Sequence, residues 1–267
     1  MPIINPSDLS PIDVSLTEGV FPISWKRYIL PSIHPQGWKI VIAIFLLFLI
    51  AALLCRFFIP APWGVRASTA VAIIGIPLVL FSFYFFRNPD RVTPNDPDGI
   101  FSPADGLVCS IVKMVPPKSL DLGEEERIRV SIFMSVFSVH VNRAPCAGTV
   151  HALTYHHGKF VSAADKESDE NERQEICIER PDSVRIGVVQ IAGLVARRIY
   201  TPLKLEQKLT AGEVFGLIRF GSRLDVYLPP GTRPSVLLGQ TTVAGETLIA
   251  RVPRRETDSV TDSTQTD

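Results

Sequence analysis

Residues 40–55 read IVIAIFLLFLIAALLC and residues 67–86 read ASTAVAIIGIPLVLFSFYFF; neither run contains a charged side chain, and Arg56 and Arg87 close them. At 1.5 Å per residue the second run reaches about 30 Å as a helix, the thickness of a bilayer core. The first gains length from Trp38 on one side and from Phe57 and Phe58 on the other. Between them CRFFIPAPWGVR carries two prolines and a glycine, the composition of a tight turn between helices. Pro77, inside the second run, is tolerated better in lipid than in a soluble helix. Neither run keeps the polar face of a soluble core helix, so a transmembrane hairpin is predicted rather than a buried helix pair. A cleaved signal peptide fits poorly, because the apolar stretch begins near residue 40 and no small-residue cleavage site follows before the second run. Lys26, Arg27 and Lys39 precede the hairpin, Arg87 and Arg91 follow it, and only Arg56 and Arg66 lie in its turn. That bias inclines both the N-terminus and the C-terminal part toward the cytoplasm.

Outward from the hairpin the chain changes character. From Gly99 on, β-branched and aromatic segments alternate with Gly and Pro: GLVCSIVKMV, RIRVSIFMSV, VRIGVVQIAG, GLIRF, SRLDVYL, SVLLGQTTV and TLIARV. This pattern predicts a mostly antiparallel β domain with small helical insertions. The polar stretch VSAADKESDENERQ reads as an exposed helix or a long loop, and RRETDSVTDSTQTD after Pro253 as a disordered tail. The predicted class is therefore α+β: a leader over 1–37, a hairpin over 38–87, a β-rich domain over 88–253 and a tail over 254–267. Net charge over the 267 residues is zero, which gives no bulk electrostatic reason for a nucleic-acid partner. Hydrophobic residues make up 46% of the chain, an excess concentrated in the hairpin. Cys55, Cys109, Cys146 and Cys177 are widely spaced without a CxxC pair, which suits a reducing compartment better than a disulfide framework or a zinc site.

Three motifs could carry chemistry. SPADG (Ser102–Gly106) fits a β-turn with Asp105 near its exposed end, a place where Asp is common for local reasons. FMSVFSVHVNRAPCAGTV (Phe133–Val150) holds His140 and Arg143 in the polar middle of an apolar stretch; a lone His there is more often structural than basic. GEVFGLIRFGSRLDVYLP (Gly212–Pro229) places glycines at 212, 216 and 221 ahead of Ser222, a pattern that a hairpin with a Gly-Ser turn would also show. His151, His156 and His157 lack a recognisable ligand spacing and read as surface or turn residues, so no metal is expected.

Taken in this order, the hairpin, FFRNPDR, SPADG, FMSVFSVHVNRAP, KFVSAADKESDENER, GVVQIAGLVARRI and RFGSRLDVYLP together resemble the bacterial phosphatidylserine decarboxylases of the short, membrane-hairpin form. The resemblance covers nearly all of the chain except the leader and the tail. It implies self-cleavage between Gly221 and Ser222: the Ser222 hydroxyl attacks the Gly221 carbonyl, and the ester so formed eliminates to a dehydroalanine that hydrolyses to a pyruvoyl group. A glycine before the serine eases the strained backbone this requires. The serine needs a base, a role the resemblance gives to Asp105 and His140. The pyruvoyl cofactor, derived from Ser222, would form a Schiff base with the serine amine of the lipid and draw off the electron pair left by CO2, giving phosphatidylethanolamine. The implied partners are a phospholipid in the membrane and the two fragments, 1–221 and 222–267, held together; homo-oligomerisation is left open. The implied location is the bacterial inner membrane with the catalytic domain facing the cytoplasm.

One departure stands out. Longer members carry a second histidine three residues after the first, where this chain has Arg143. Its planar fork suits a substrate carboxylate or phosphate, and a structural salt bridge fits it equally well. Two other classes compete. A serine hydrolase built on Ser222, His140 and Asp105 lacks a G-x-S-x-G elbow and would keep an intact chain. A non-enzymatic membrane-tethered β module would show neither cleavage nor carbonyl reactivity; its lipoyl-carrier version fails because no lysine follows Lys208.

Overall fold

The computed structural model describes residues 30–158, 171–193, 198–219 and 221–253. Nearly all of the leader, most of the polar stretch and the whole of the predicted tail lie outside the described residues.

The two apolar runs form helices α1 (Pro35–Phe58) and α2 (Trp63–Phe85). At 24 and 23 residues, each spans about 35 Å. Their most apolar windows are only 6% and 17% buried, with side chains such as Leu47 and Leu80 more than half exposed. A soluble core helix would bury that surface; these two helices are long and apolar enough to cross a membrane and are compatible with membrane association. They pack closely because Gly75 has no Cβ, which would come 2.6 Å from the Phe48 ring. His34 caps α1, its Nδ1 accepting from the Gln36 N–H at 3.3 Å. A short ladder of β1 (Ser32–Ile33) with β2 (Arg87–Asn88) ties the two open ends of the hairpin together.

The rest is antiparallel β structure, and its one described helical insertion is a 3-10 turn at Lys118–Leu120. The strands are β3 (Gly99–Phe101), β4 (Gly106–Met114), β5 (Arg127–Met134), β6 (Val141–Arg143), β7 (Gly148–His156), β8 (Arg173–Glu179), β9 (Arg185–Ala192), β10 (Ile199–Tyr200), β11 (Lys208–Leu209), β12 (Val214–Ile218), β13 (Ser222–Tyr227), β14 (Thr241–Thr242) and β15 (Leu248–Arg251). Eight of them form one sheet in the order β11-β7-β8-β9-β13-β5-β4-β14, and β10-β12-β6 form a second. Strands β3 and β15 pair separately.

Strand β13 is central, paired along its whole length with β5 on one side and β9 on the other. The period-2 alternation of a strand sends Leu224 and Val226 into the main core, against Ile132, Val188 and Met134, and Ser222 shares their parity. Arg223, Asp225 and Tyr227 face the other way, where Tyr227 meets Ile191, Cys177 and Leu120. On that face Arg223 forks onto the Asp225 carboxylate at 2.9 and 3.0 Å.

Several segments differ from the sequence-based expectation. Of SVLLGQTTV only Thr241–Thr242 joins a ladder: Leu237 and Leu238 are largely exposed and Gly239 turns the chain at φ +83°. The strand expected at GLIRF starts earlier, at Val214. Arg173 and Gln174, at the end of the polar stretch, already belong to β8. His151 and His156, expected at the surface or in turns, lie part-exposed on β7, where His151 contacts Asp121 and Glu179 and His156 contacts Glu175.

Candidate active site

The chain leaves the small sheet at the end of β12 and enters the large sheet at Ser222, and Arg219 and Gly221 lie where it passes between them. Gly221 makes the turn with φ +67°, a left-handed conformation that costs a residue with a Cβ about 1–2 kcal/mol. Ser222 follows at once and is fully buried.

Pairing of β12 with β6 brings His140 to this crossing: Leu217 faces Val141, and the Ile218 N–H donates to the His140 carbonyl at 3.2 Å. The imidazole Nδ1 donates to the Ser138 carbonyl at 3.0 Å, since a carbonyl can only accept. That leaves the Nε2 lone pair to accept from the Gly221 N–H at 3.3 Å. The ring lies against Phe85, the last residue of α2, with centroids 4.2 Å apart. Burial, reinforced by the nearby Arg87 charge and only partly opposed by the bond to Ser138, holds the His140 pKa down at about 4. At neutral pH the group is an uncharged imidazole whose Nε2 lone pair is engaged by the Gly221 N–H and would be released to take a proton.

The Gly221 carbonyl accepts from the Gly193 N–H at 3.1 Å, just beyond the end of β9. A donor on a carbonyl polarises it toward nucleophilic attack and stabilises an oxyanion formed there. The Ser222 hydroxyl points into the core, 4.0 Å from the Met134 sulfur. Met134 in turn accepts from Asn142 Nδ2 at 3.7 Å, and Asn142 Oδ1 accepts from Gln190 Nε2 at 2.8 Å. Thr201 donates to the Gln190 carbonyl oxygen, so a buried polar chain runs behind the serine.

Of the expected site residues, the structure brings Gly221, Ser222 and His140 together. Asp105 does not hydrogen-bond to His140 or Ser222. Its carboxylate takes Arg91 Nη2 and the Ala244 N–H, both at 2.7 Å. Burial pushes its pKa up against the opposing pull of Arg91, the Ala244 N–H, Arg87 and Arg143. Arg87, which donates to the Tyr84 and Phe137 carbonyls, acts electrostatically on both Asp105 and His140. Arg143 is occupied structurally, donating to the Gly212 carbonyl at 2.9 Å, Asn88 Oδ1 at 3.0 Å and the Pro89 carbonyl at 2.9 Å. Its partners are neutral, so the expected salt bridge is instead a hydrogen-bonded brace between β2 and the β11–β12 turn. Among the described residues no group of three or more His, Cys, Asp or Glu side chains is arranged to hold a metal.

Sequence reasoning did not single out Gly193, Ser138, Met134 or Phe85. Each reaches the site through strand pairing or hairpin docking, and no local pattern marks them.

The site is thus a Gly-Ser junction flanked by a neutral histidine and a backbone donor, on an antiparallel β domain carried by an apolar helical hairpin. A family model described as phosphatidylserine decarboxylase matches residues 78–250. Two proteins named phosphatidylserine decarboxylase proenzyme are similar over most of their length. The one from Ruegeria pomeroyi is 50% identical over 222 residues, 83% of this chain and 95% of that protein. The one from Paramagnetospirillum magneticum is 46% identical over 235 residues, 88% and 92% of the two chains. The chain belongs to the phosphatidylserine decarboxylase family and is an enzyme of the decarboxylase class.

Proposed function

We propose that the chain is a proenzyme that cleaves itself between Gly221 and Ser222 and then decarboxylates phosphatidylserine to phosphatidylethanolamine. The observation that carries this reading is the junction itself: Gly221 is left-handed, its carbonyl accepts from Gly193 and its N–H is held by His140. Rotation about the Ser222 Cα–Cβ bond swings the hydroxyl from Met134 toward the Gly221 carbonyl carbon. His140, keeping its own proton on Nδ1, takes the hydroxyl proton on Nε2. The new C–O bond replaces the C–N bond between the two residues, and the amide nitrogen leaves as the amine of Ser222. Gly193 stabilises the oxyanion during this exchange. His140 returns its proton to the departing nitrogen; elimination then removes the Ser222 Cα proton to the same base and breaks the Cβ–O bond, releasing the Gly221 carboxylate and leaving an enamine that tautomerises to an imine, to which water adds as ammonia leaves. Asp105 acts at one remove, fixing Arg91 and setting the field of the arginines around Arg87.

The site fits a pyruvoyl group at residue 222: the position is dry, begins a central strand, and has a donor and a neutral base beside it. That group supplies a carbonyl that captures the substrate amine and an electron sink for the pair left by CO2. The fragments 1–221 and 222–267 stay associated because β13 is held on both sides by strands of the larger fragment. The open end of the hairpin carries the site, so a lipid headgroup at the cytoplasmic surface of the inner membrane can reach it. The balance of Lys39, Arg87 and Arg91 over Arg56 and Arg66 supports that orientation.

A Ser-His-Asp hydrolase is poorly supported, because His140 Nδ1 is oriented by a backbone carbonyl rather than by Asp105. Intact-mass analysis of the purified chain beside Ser222→Ala tests the proposal. Two fragments split at 221/222 in the parent, the smaller one reacting with a carbonyl reagent, and one intact chain in the variant are expected. An intact, folded parent chain would overturn it.

A further inference from the structure

The end of β12 carries a second feature that the cleavage chemistry does not use. Arg219, two residues before Gly221, lies beside Arg198 just ahead of β10: Ile199 pairs with Ile218, and the Arg219 N–H donates to the Arg198 carbonyl at 3.3 Å. Arg219 sits against the start of α1, and Arg198 is exposed beside it. Arg219 Nη2 donates to Gln36 Oε1 at 3.4 Å, and Tyr200 on β10 meets the His34 ring edge-on at 6.0 Å. No carboxylate among the described residues lies within ion-pair distance of either arginine, whereas Arg91, Arg173, Arg180, Arg185, Arg223 and Arg251 each have one. The Arg219 Nε is shielded from solvent and has no hydrogen-bond partner. Burial and the neighbouring Arg198 both lower the Arg219 pKa. His34 is lowered by burial and then by Arg219.

A shielded guanidinium donor left unpaired is costly unless a partner completes it, and the exposed Arg198 beside it adds a second positive charge. A guanidinium fork matches the geometry of a phosphate oxyanion. We propose that Arg198 and Arg219 seat the phosphodiester of the lipid substrate. This assignment rests on the decarboxylase reading above and adds to it the group that positions the headgroup. Three observations converge on it. Arg219 is at most about 7 Å along the backbone from Gly221, so an anion held there is next to the reacting residue. In a seryl phospholipid the phosphate is only a few covalent bonds from the carbon that bears the amine and the carboxylate. The seat adjoins the first turn of α1, at the end of the hairpin where the headgroup layer of a bilayer would lie. Binding energy gathered at the phosphate would then hold the amine and carboxylate at residue 222, an orientation effect.

The test compares the self-cleaved wild type with Arg219→Gln, Arg198→Gln, Arg219→Lys and Gln36→Ala in mixed micelles of phosphatidylserine, with active sites counted by carbonyl-reagent titration. Arg219→Gln should raise KM at least tenfold with kcat within about threefold, Arg198→Gln should raise it less, and Arg219→Lys should recover part of the loss. Gln36→Ala, which removes the contact with α1 and keeps the charge, should leave KM unchanged. Glycerophosphoserine should compete with substrate in wild type and lose that competition at least tenfold in Arg219→Gln, and inorganic phosphate should not compete. An unchanged KM in Arg219→Gln, or the same KM rise in Gln36→Ala, would overturn the seat. Competition by inorganic phosphate equal to that by glycerophosphoserine would overturn the lipid assignment. Failure of the parent chain to cleave would instead remove the underlying decarboxylase reading and is seen before any KM is measured.

Discussion

Lowering the pH from 7 to 5 should leave the rate of self-cleavage nearly unchanged if His140 works as a buried neutral base. With its pKa held near 4, about 90% of the imidazole is still neutral at pH 5, whereas a group at the ordinary 6.5 would be about 3% neutral. The structure therefore predicts a fall of roughly a tenth over a range in which an ordinary histidine would lose about 25-fold. The rate should halve only near pH 4. Stability moves differently. Because the folded pKa is depressed, the unfolded chain takes up the proton first, so the contribution of His140 to folding is intact above about pH 6.5 and is lost as pH falls toward 4. The loss totals about 3 kcal/mol, of which about 2 kcal/mol is gone by pH 5. The assay is a time course of intact mass on freshly synthesised precursor in detergent micelles, with unfolding followed in parallel on uncleavable Ser222→Ala protein. A 20-fold slowing of cleavage between pH 7 and 5, with the protein still folded, would refute the assignment of a buried neutral base.

Three further outcomes follow from the same geometry. Gly221→Ala adds a Cβ that meets no atom within 4 Å, so its cost is conformational, about 1–2 kcal/mol; precursor half-life should lengthen about 5- to 30-fold in the same mass assay without loss of fold. Phe85→Ala removes a side chain that is 1% exposed and should cost about 3–5 kcal/mol in a denaturation midpoint. By admitting water to His140 it should also raise the pH at which cleavage is half-maximal toward 6.5. Arg143→Ala leaves the Gly212 and Pro89 carbonyls without their donor and should cost about 2–4 kcal/mol of stability, while KM for phosphatidylserine in the cleaved enzyme stays within about twofold.

The parts legible in the sequence are those whose signal is local. Charge-free runs of helical length gave α1 and α2, and β-branched alternation gave β4, β5, β9 and β13 to within a residue or two. Strands β7 and β8 escaped notice because they carry polar residues such as His156, Arg173 and Glu175, which look like solvent-facing loop but contact one another on the sheet. SVLLGQTTV misled in the opposite sense, with strand-like composition on a segment whose leucines lie outside the core. At the site, Gly221, Ser222 and His140 were singled out by the resemblance, since the glycine pattern alone fits a hairpin turn and a lone histidine in an apolar stretch fits a structural role. Gly193 reaches the Gly221 carbonyl only because β9 and β13 are neighbours and end level, with Ala192 opposite Ser222. Ser138 orients His140 through a carbonyl, which every residue possesses, so no residue type could have announced it.

The position of Arg143 shows why a histidine is not needed there. In this fold the side chain at residue 143 points away from the Gly-Ser junction, toward Asn88, Pro89 and the Gly212 carbonyl, while the residue three positions earlier faces Gly221. A histidine at 143 would stand in the arginine layer around Asp105, and would reach residue 222 only if β6 shifted. The proposed base therefore sits at position 140, where the Ser138 carbonyl and Phe85 at the foot of α2 jointly set its environment. Docking of the hairpin and readiness for cleavage are thus coupled through one ring contact. Detaching α2 would both wet His140 and free Arg87 from the Phe137 carbonyl, so a chain whose hairpin has not packed should cleave slowly. The order of events implied is insertion and docking of the hairpin first, chemistry at Ser222 second.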